Sequence, residues 1–254
     1  MRVFLNIYNL GVEKMKVYLN SITGIEDAMI SLLMSKRSWT PEKQAEIQKI
    51  VADATDRTGK PLENASDEVK EAFNKKLNTL INIGSQHITL GRYIDFSFTV
   101  AGLHRAGQDD WDSHAMRYCN RIIRSSTRLA KFGNEMSDFY EGKIMTTDEA
   151  CEHLGIKLPE QMEFMGRTYV KTVNGYVREE YKDDKDVLRG LYMLSIPSNF
   201  TFKVSLTEWA HVYKMRNENT DANPEVKQLC EMIADELERW YPQFNRELWE
   251  KIPN

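Results

Sequence analysis

Cysteine is scarce in this chain. Cys119, Cys151 and Cys230 are three among 254 residues, odd in number, far apart and without a CxxC pair. That spacing excludes a disulfide framework, argues against a structural zinc site and points to a reducing, cytoplasmic setting. Long hydrophobic runs are also missing. The opening MRVFLNIYNLG is a short apolar stretch broken by Asn6 and Asn9, too short for a bilayer and without a small-residue cleavage site, so no membrane association is expected. A surplus of positive charge is absent as well: the formal net charge is −4, which disfavours nucleic acid and leaves a nucleotide-sized anion as the better partner. No repeat or low-complexity tract appears.

What is present is ordinary soluble composition, 41% hydrophobic and 28% charged, enough to bury a substantial core. One stretch stands out, from Phe98 to Arg128. Asp109, Asp110, Asp112 and His114 come first, and Arg117, Arg121, Arg124 and Arg128 follow at offsets of four, three and four. That spacing predicts a helix with a basic stripe, and guanidinium forks on one face suit phosphate or carboxylate. The same pattern also reads as a solvated face whose arginines pair with neighbouring acids. The acidic residues with His114 permit a metal reading, but offsets of one and two on a helix point the ligands apart, so no metal is expected.

Around this stretch the chain alternates helical and strand periods. Lys16–Tyr18 reads as a short strand, and residues 1–14 as an extra one. Thr23 reads as the cap of a helix with Ile25, Met29, Leu32 and Leu33 on one face. Thr40-Pro41 opens a second helix, and Ser66 a third on which Val69, Ala72, Phe73, Leu77, Leu80 and Ile81 recur at helical spacing before Gly84 stops it. In YIDFSFTV the period becomes two, with Ile94, Phe96, Phe98 and Val100 inward. Thr146 and Glu149 form a capping box. Asn174-Gly175 sits between two β-rich runs as a hairpin turn. KDDKD at 182–186 is a loop or a helix start. Leu206–Met215 reads as helical, and Asn223-Pro224 starts a last helix with Val226, Cys230, Ile233, Ala234 and Leu237 inward. Helices with one hairpin and one or two long strands predict an α+β domain.

The C-terminal segment resembles the flavin-dependent thymidylate synthases, also described as thymidylate synthase complementing proteins. In that family a Trp-x-His-x-x-x-x-Arg helix precedes Ala-Gln-Pro-Glu-Ile. Here Trp209, His211 and Arg216 fall in register, and Ala222-Asn223-Pro224-Glu225-Val226 follows. Upstream, His87-Ile88-Thr89, Phe96-Ser97-Phe98 and Gly102-Leu103-His104-Arg105-Ala106 match further family motifs at the family's intervals. The two blocks cover residues 84–128 and 187–237. The signature Arg-His-Arg-x7-Ser is degraded: Ser113-His114-Ala115 stand at its head, Ile123 at its serine and Ser125 at a substrate-binding arginine, while Asp110 replaces the usual glutamine. An alternative register through Arg124, Arg128 and Asn134-Glu135-Met136-Ser137 recovers some of the motif but breaks the upstream spacing.

The resemblance implies a single flavin-dependent thymidylate synthase-like domain over 1–254, a central antiparallel sheet with flanking helices, and a divergent insert at about 129–186 holding the hairpin. It implies FAD, NADPH and methylene-tetrahydrofolate as cofactors, a dUMP-like pyrimidine deoxynucleotide as substrate, and a homotetramer with shared sites. Carried over residue by residue, it makes Arg216 catalytic and places Arg189, Arg216 and Asp110 on the nucleotide. His87, Thr89, Ser113, His114, Ala115, Ser205 and His211 go to the flavin. Arg117, Arg121 or Arg124 would supply the cations lost from the signature. Taken by themselves, Arg216 also reads as a helix-end arginine, Arg189 as a surface ion pair and each histidine as structural. Two other functions remain open from sequence: an inactive family member serving as a nucleotide-binding or structural subunit, and a nucleic-acid binder using the arginine stripe.

Overall fold

A computed structural model describes residues 15–114, 121–126, 136–172, 174–218 and 221–252, without the side chains of Ser113 and His114. The chain runs β1 (Lys16–Thr23), α1 (Ile25–Ser35), α2 (Pro41–Ala54), α3 (Asp67–Gly84), the single turn α4 (Ile88–Gly91), β2 (Asp95–His104) and α5 (Arg105–His114). It continues with β3 (Arg121–Arg124), α6 (Thr147–His153), β4 (Gln161–Phe164), β5 (Arg167–Thr172), β6 (Gly175–Arg178) and the turn α7 (Lys185–Leu188). β7 (Pro197–Ser205), α8 (Leu206–Glu218), α9 (Pro224–Trp240) and α10 (Arg246–Lys251) complete it. This is the α+β mixture expected from the alternating periods. Among the described residues, no helix is long and apolar enough to cross a membrane.

The chain falls into two compact units. Unit 2 comprises Lys16–Val100, Asp109–Ile123 and Phe200–Asn254. It carries most of a four-stranded sheet in the order β1-β2-β7-β3. Period-two alternation into and along β2 buries Ile94, just before the strand, and Phe96, Phe98 and Val100, and leaves Asp95, Ser97 and Thr99 half-exposed. Phe98 stacks on Phe202 of β7 at 5.2 Å, Trp111 of α5 meets Phe202 edge-on at 5.1 Å, and Phe96 meets Phe244 at 5.2 Å. Trp209 and Trp249 join α8 to α10 at 6.2 Å. Burying each such ring is worth roughly 1.5–3 kcal/mol, which makes this aromatic layer the main support of α8. The inward residues expected on α9, namely Val226, Cys230, Ile233, Ala234 and Leu237, are all buried.

Unit 1 comprises Met1–Met15, Ala101–Gln108 and Arg124–Asn199. Its sheet is the antiparallel meander β4-β5-β6, pairing Gln161 with Val170 and Thr172 with Gly175. The expected capping box is present on α6: Thr146 Oγ1 accepts from the Glu149 N–H, and the Glu149 carboxylate accepts from the Thr146 N–H at 2.7 Å. His104 is fully buried, with Nε2 3.2 Å from the Tyr140 hydroxyl and its ring stacked 6.0 Å from Phe139.

Four expectations change. The first strand is eight residues long, not three, because pairing beside β2 extends it. Gly24, not Thr23, precedes α1: its φ is +83°, and a Cβ there would stand 1.8 Å from the Tyr93 carbonyl oxygen. Gly175 opens β6 opposite Thr172 and is therefore in the strand, not the turn. Most consequentially, Arg121–Arg124 is strand β3, so Arg121 and Arg124 do not share a helix face. The β-branched pair Ile122-Ile123 favours the extended backbone, and β7 offers it a neighbouring strand. Arg117, Arg128 and residues 1–14 lie outside the described residues.

Candidate active site

α8 begins where β7 ends. Ser205, the last residue of the strand, turns its Oγ onto the new helix and accepts the Glu208 N–H at 3.3 Å. Leu206, Trp209, Ala210, Val212 and Tyr213 are buried, which orients the helix. Three polar residues then fall at intervals of three, Ser205 at the end of the strand and Glu208 and His211 on the helix, the last two about one turn apart. The single turn α4 is tied to the same helix: Thr207 Oγ1 donates to the Ile88 carbonyl at 3.0 Å. Gly91 is required there, since a Cβ would lie 2.3 Å from Thr207 Oγ1.

Further along α8, Arg216 is buried, its side chain only 3% exposed. Nη1 lies 3.1 Å from Asp110 Oδ2, and Nη2 donates to the Asp110 carbonyl at 2.8 Å. Nε is buried without a partner among the described residues. The structure thus joins two residues that sequence had assigned to one nucleotide site from separate motifs. Arg216 stands in the last turn of α8, as the helix-end reading has it, and its side chain turns inward onto Asp110 of α5.

Glu208 was missed by sequence reasoning. The residue is 2% exposed, and neither carboxylate oxygen has a hydrogen-bond partner among the described residues. Burial pushes its pKa up to about 7; the positive charge of Arg121 opposes the shift and the negative charge of Asp95 adds to it. Among the described residues, Arg121, the cation whose charge reaches Glu208, is engaged by Asp95. Asp95 takes Arg121 Nη2 at 3.0 Å and Lys203 Nζ at 3.1 Å. The signal that could have found Glu208 was its place three residues from both Ser205 and His211 in a run of otherwise buried positions.

The remaining assignments fall as follows. His211 has Nδ1 buried without a partner among the described residues. His87 and Thr89, on and beside α4, are exposed. Ser113 and His114 close α5, with side chains outside the described residues, and Ala115 lies outside them altogether. Arg121 is bound to Asp95, as above, and Arg124 Nη2 donates to the Gln108 carbonyl at 3.3 Å. Arg189 belongs to unit 1, where it lies 3.7 Å from Asp186 with its side chain 46% exposed. That is a surface ion pair of the kind worth little to stability, and it leaves the guanidinium accessible.

Comparison with known proteins follows the same lines. The family model described as Thy1, thymidylate synthase complementing protein, matches residues 28–243. No curated protein matches the chain at a significant level. Among solved structures, it is similar to a crystal structure of thymidylate synthase X (ThyX) from Helicobacter pylori with FAD and dUMP, with a TM-score of 0.52 at 10% identity over 93% of this chain and 99% of that one. A second structure, the flavin-dependent thymidylate synthase ThyX from Helicobacter pylori complexed with FAD and dUMP, gives a TM-score of 0.50 at 10% identity, covering 94% and 100%.

Proposed function

We propose, from the premise that this chain belongs to the thymidylate synthase complementing protein family, that it catalyses flavin-dependent transfer of one carbon to a pyrimidine deoxynucleotide. The substrate would be dUMP and the product dTMP or a related 5-substituted nucleotide. FAD, NADPH and methylene-tetrahydrofolate would serve as cofactors, in a cytoplasmic homotetramer. When bound, the flavin supplies the redox chemistry that no side chain can.

Arg216 carries the reading. Its guanidinium is held in place by Asp110 on one edge, so its positive charge is preorganised and little reorganisation is needed when negative charge develops on a pyrimidine beside it. Asp110 fixes the orientation at the cost of half-neutralising that charge. The face of α8 supports a ring ligand: Glu208 and His211 present buried polar atoms that no described residue satisfies, as expected of groups whose partner is a bound molecule. Arg189, accessible on unit 1, is assigned to the nucleotide phosphate. His87, Thr89 and Ser205 are assigned to the flavin with His211.

A second reading has one observation in its favour. Asp110 stands where the family resemblance expects glutamine and compensates Arg216, and Ser113 and Ala115 stand at two signature arginines. A family member that binds nucleotide or supports assembly without catalysis fits those losses. The absorption spectrum of purified protein, with and without added FAD, and NADPH oxidation with and without dUMP separate the two. A bound flavin and dUMP-stimulated oxidation support the enzyme; colourless, FAD-indifferent protein that still assembles supports the second reading.

A further inference from the structure

We infer that Glu208 is a ligand-contacting residue, accepting a hydrogen bond from the imide N–H of a ring bound against α8. The inference rests on the flavin and pyrimidine reading above, and it adds a residue that the family resemblance does not assign.

Three observations converge on it. Glu208 is almost wholly buried, and both oxygens lack a donor among the described residues. A carboxyl group removed from water without a donor is strongly unfavourable, so its position calls for a donor that the described residues do not supply. Among the described residues, the cation whose charge reaches it, Arg121, is committed to Asp95. Finally, His211 lies one turn away on the same side of α8 and also has a buried nitrogen, Nδ1, without a partner.

Those two groups define the chemistry of the missing partner. A cyclic imide presents carbonyl, N–H and carbonyl along one edge. Glu208 as carboxylate accepts from the N–H, and His211, in the tautomer with its proton on Nδ1, donates to a flanking carbonyl. A hydroxyl-rich ligand would not need an acceptor-only group beside a donor, and a phosphate would be repelled by the carboxylate. Flavin and uracil both carry such an imide, and either can be the ring that Glu208 meets. With its pKa pushed up to about 7, Glu208 accepts from the N–H as a charged carboxylate above that pH and only through a weaker neutral carbonyl oxygen below it, while Arg121 and Asp95 pull the titration in opposite directions.

The test uses full-length protein and two probe pairs: FAD against N3-methyl-FAD, and, in FAD-loaded protein, dUMP against N3-methyl-dUMP. Binding is measured for the parent, Glu208→Ala and Glu208→Gln, with circular dichroism as the check on folding. The parent should disfavour one methylated probe by about tenfold or more, and Glu208→Ala should lose most of that discrimination. Glu208→Gln, similar in size and retaining a carbonyl acceptor, should keep the discrimination and lose its dependence on pH around 7. The probe pair that shows the coupling identifies the ring. Equal discrimination by parent and Glu208→Ala for both pairs overturns the inference while leaving the flavoenzyme reading intact. Parent protein that binds neither FAD nor dUMP overturns both.

Discussion

Asp110 meets Arg216 twice, its Oδ2 forming an ion pair 3.1 Å from Nη1 and its backbone carbonyl accepting a hydrogen bond from Nη2 at 2.8 Å. Only the first is lost on substitution. Asp110→Ala therefore leaves a buried guanidinium with one neutral acceptor in place of a counter-charge. For a pair with one wholly buried partner, the expected loss is about 2–4 kcal/mol of stability. Urea unfolding should show it as a lower midpoint with little change in slope. An unchanged midpoint would mean that solvent already screens the pair.

The same geometry gives a prediction of opposite sign for binding. Asp110→Gln removes a negative charge beside Arg216 while retaining a polar side chain. If Arg216 faces the nucleotide, dUMP affinity in FAD-loaded protein should rise by about tenfold, and the gain should shrink as salt is added. Calorimetric titration at two ionic strengths would detect it. Affinity that stays level or falls would place the nucleotide away from Arg216.

Helix starts were legible where their chemistry is local. Thr40, Ser66, Thr146 and Asn223 each accept a backbone N–H two or three residues on, so the cap and its partner lie within one sequence window. The inward face of β2 was legible for the same reason, since period-two alternation needs no knowledge of the partner strand. β3 was not. Its arginines stand at an offset shared by helix faces, and what makes it a strand is pairing beside β7, some eighty positions further along the chain. In the site, motif intervals assigned Asp110 and Arg216 to one nucleotide, whereas Glu208 carried only its spacing of three from Ser205 and His211, since its burial is set by tertiary packing. A glutamate near a helix start ordinarily reads as an exposed dipole partner.

Glu208 should also set a pH dependence of stability. Its folded pKa, about 7, lies above the ordinary glutamate value of 4.5, so between those two pH values the folded chain binds more protons than the unfolded one. Stability must then fall as pH rises from about 4.5 to 7 and level off beyond, by roughly 1–2 kcal/mol after allowing for screening near Arg121. Glu208→Gln removes the titration. Its unfolding midpoint should be flatter across that window than the parent's, and higher at pH 8. A parent protein with the same profile as the variant would show that Glu208 finds a donor in solution.

Two glycines, Gly84 ending α3 and Gly91 ending α4, should respond in opposite directions to the same added methyl group. At Gly91 a Cβ would meet Thr207 Oγ1 at 2.3 Å and Leu206 Cδ2 at 3.1 Å, and Thr207 cannot withdraw without giving up its bond to the Ile88 carbonyl. Gly91→Ala should therefore cost about 1–3 kcal/mol through overpacking and loosen the junction of α4 with α8. Gly84, the last residue of α3, has only Leu90 Cβ near, at an ordinary 3.8 Å, and its φ lies outside the left-handed range. Gly84→Ala should stabilise by about 0.4–1 kcal/mol, because it restricts the unfolded chain more than it disturbs the folded one. Thermal midpoints of the two variants, measured side by side, should move apart. Because Gly91 packs against α8 and Gly84 does not, only Gly91→Ala should also weaken the binding of any ligand held by Glu208 and His211, and equal weakening by both would separate that ligand from α8.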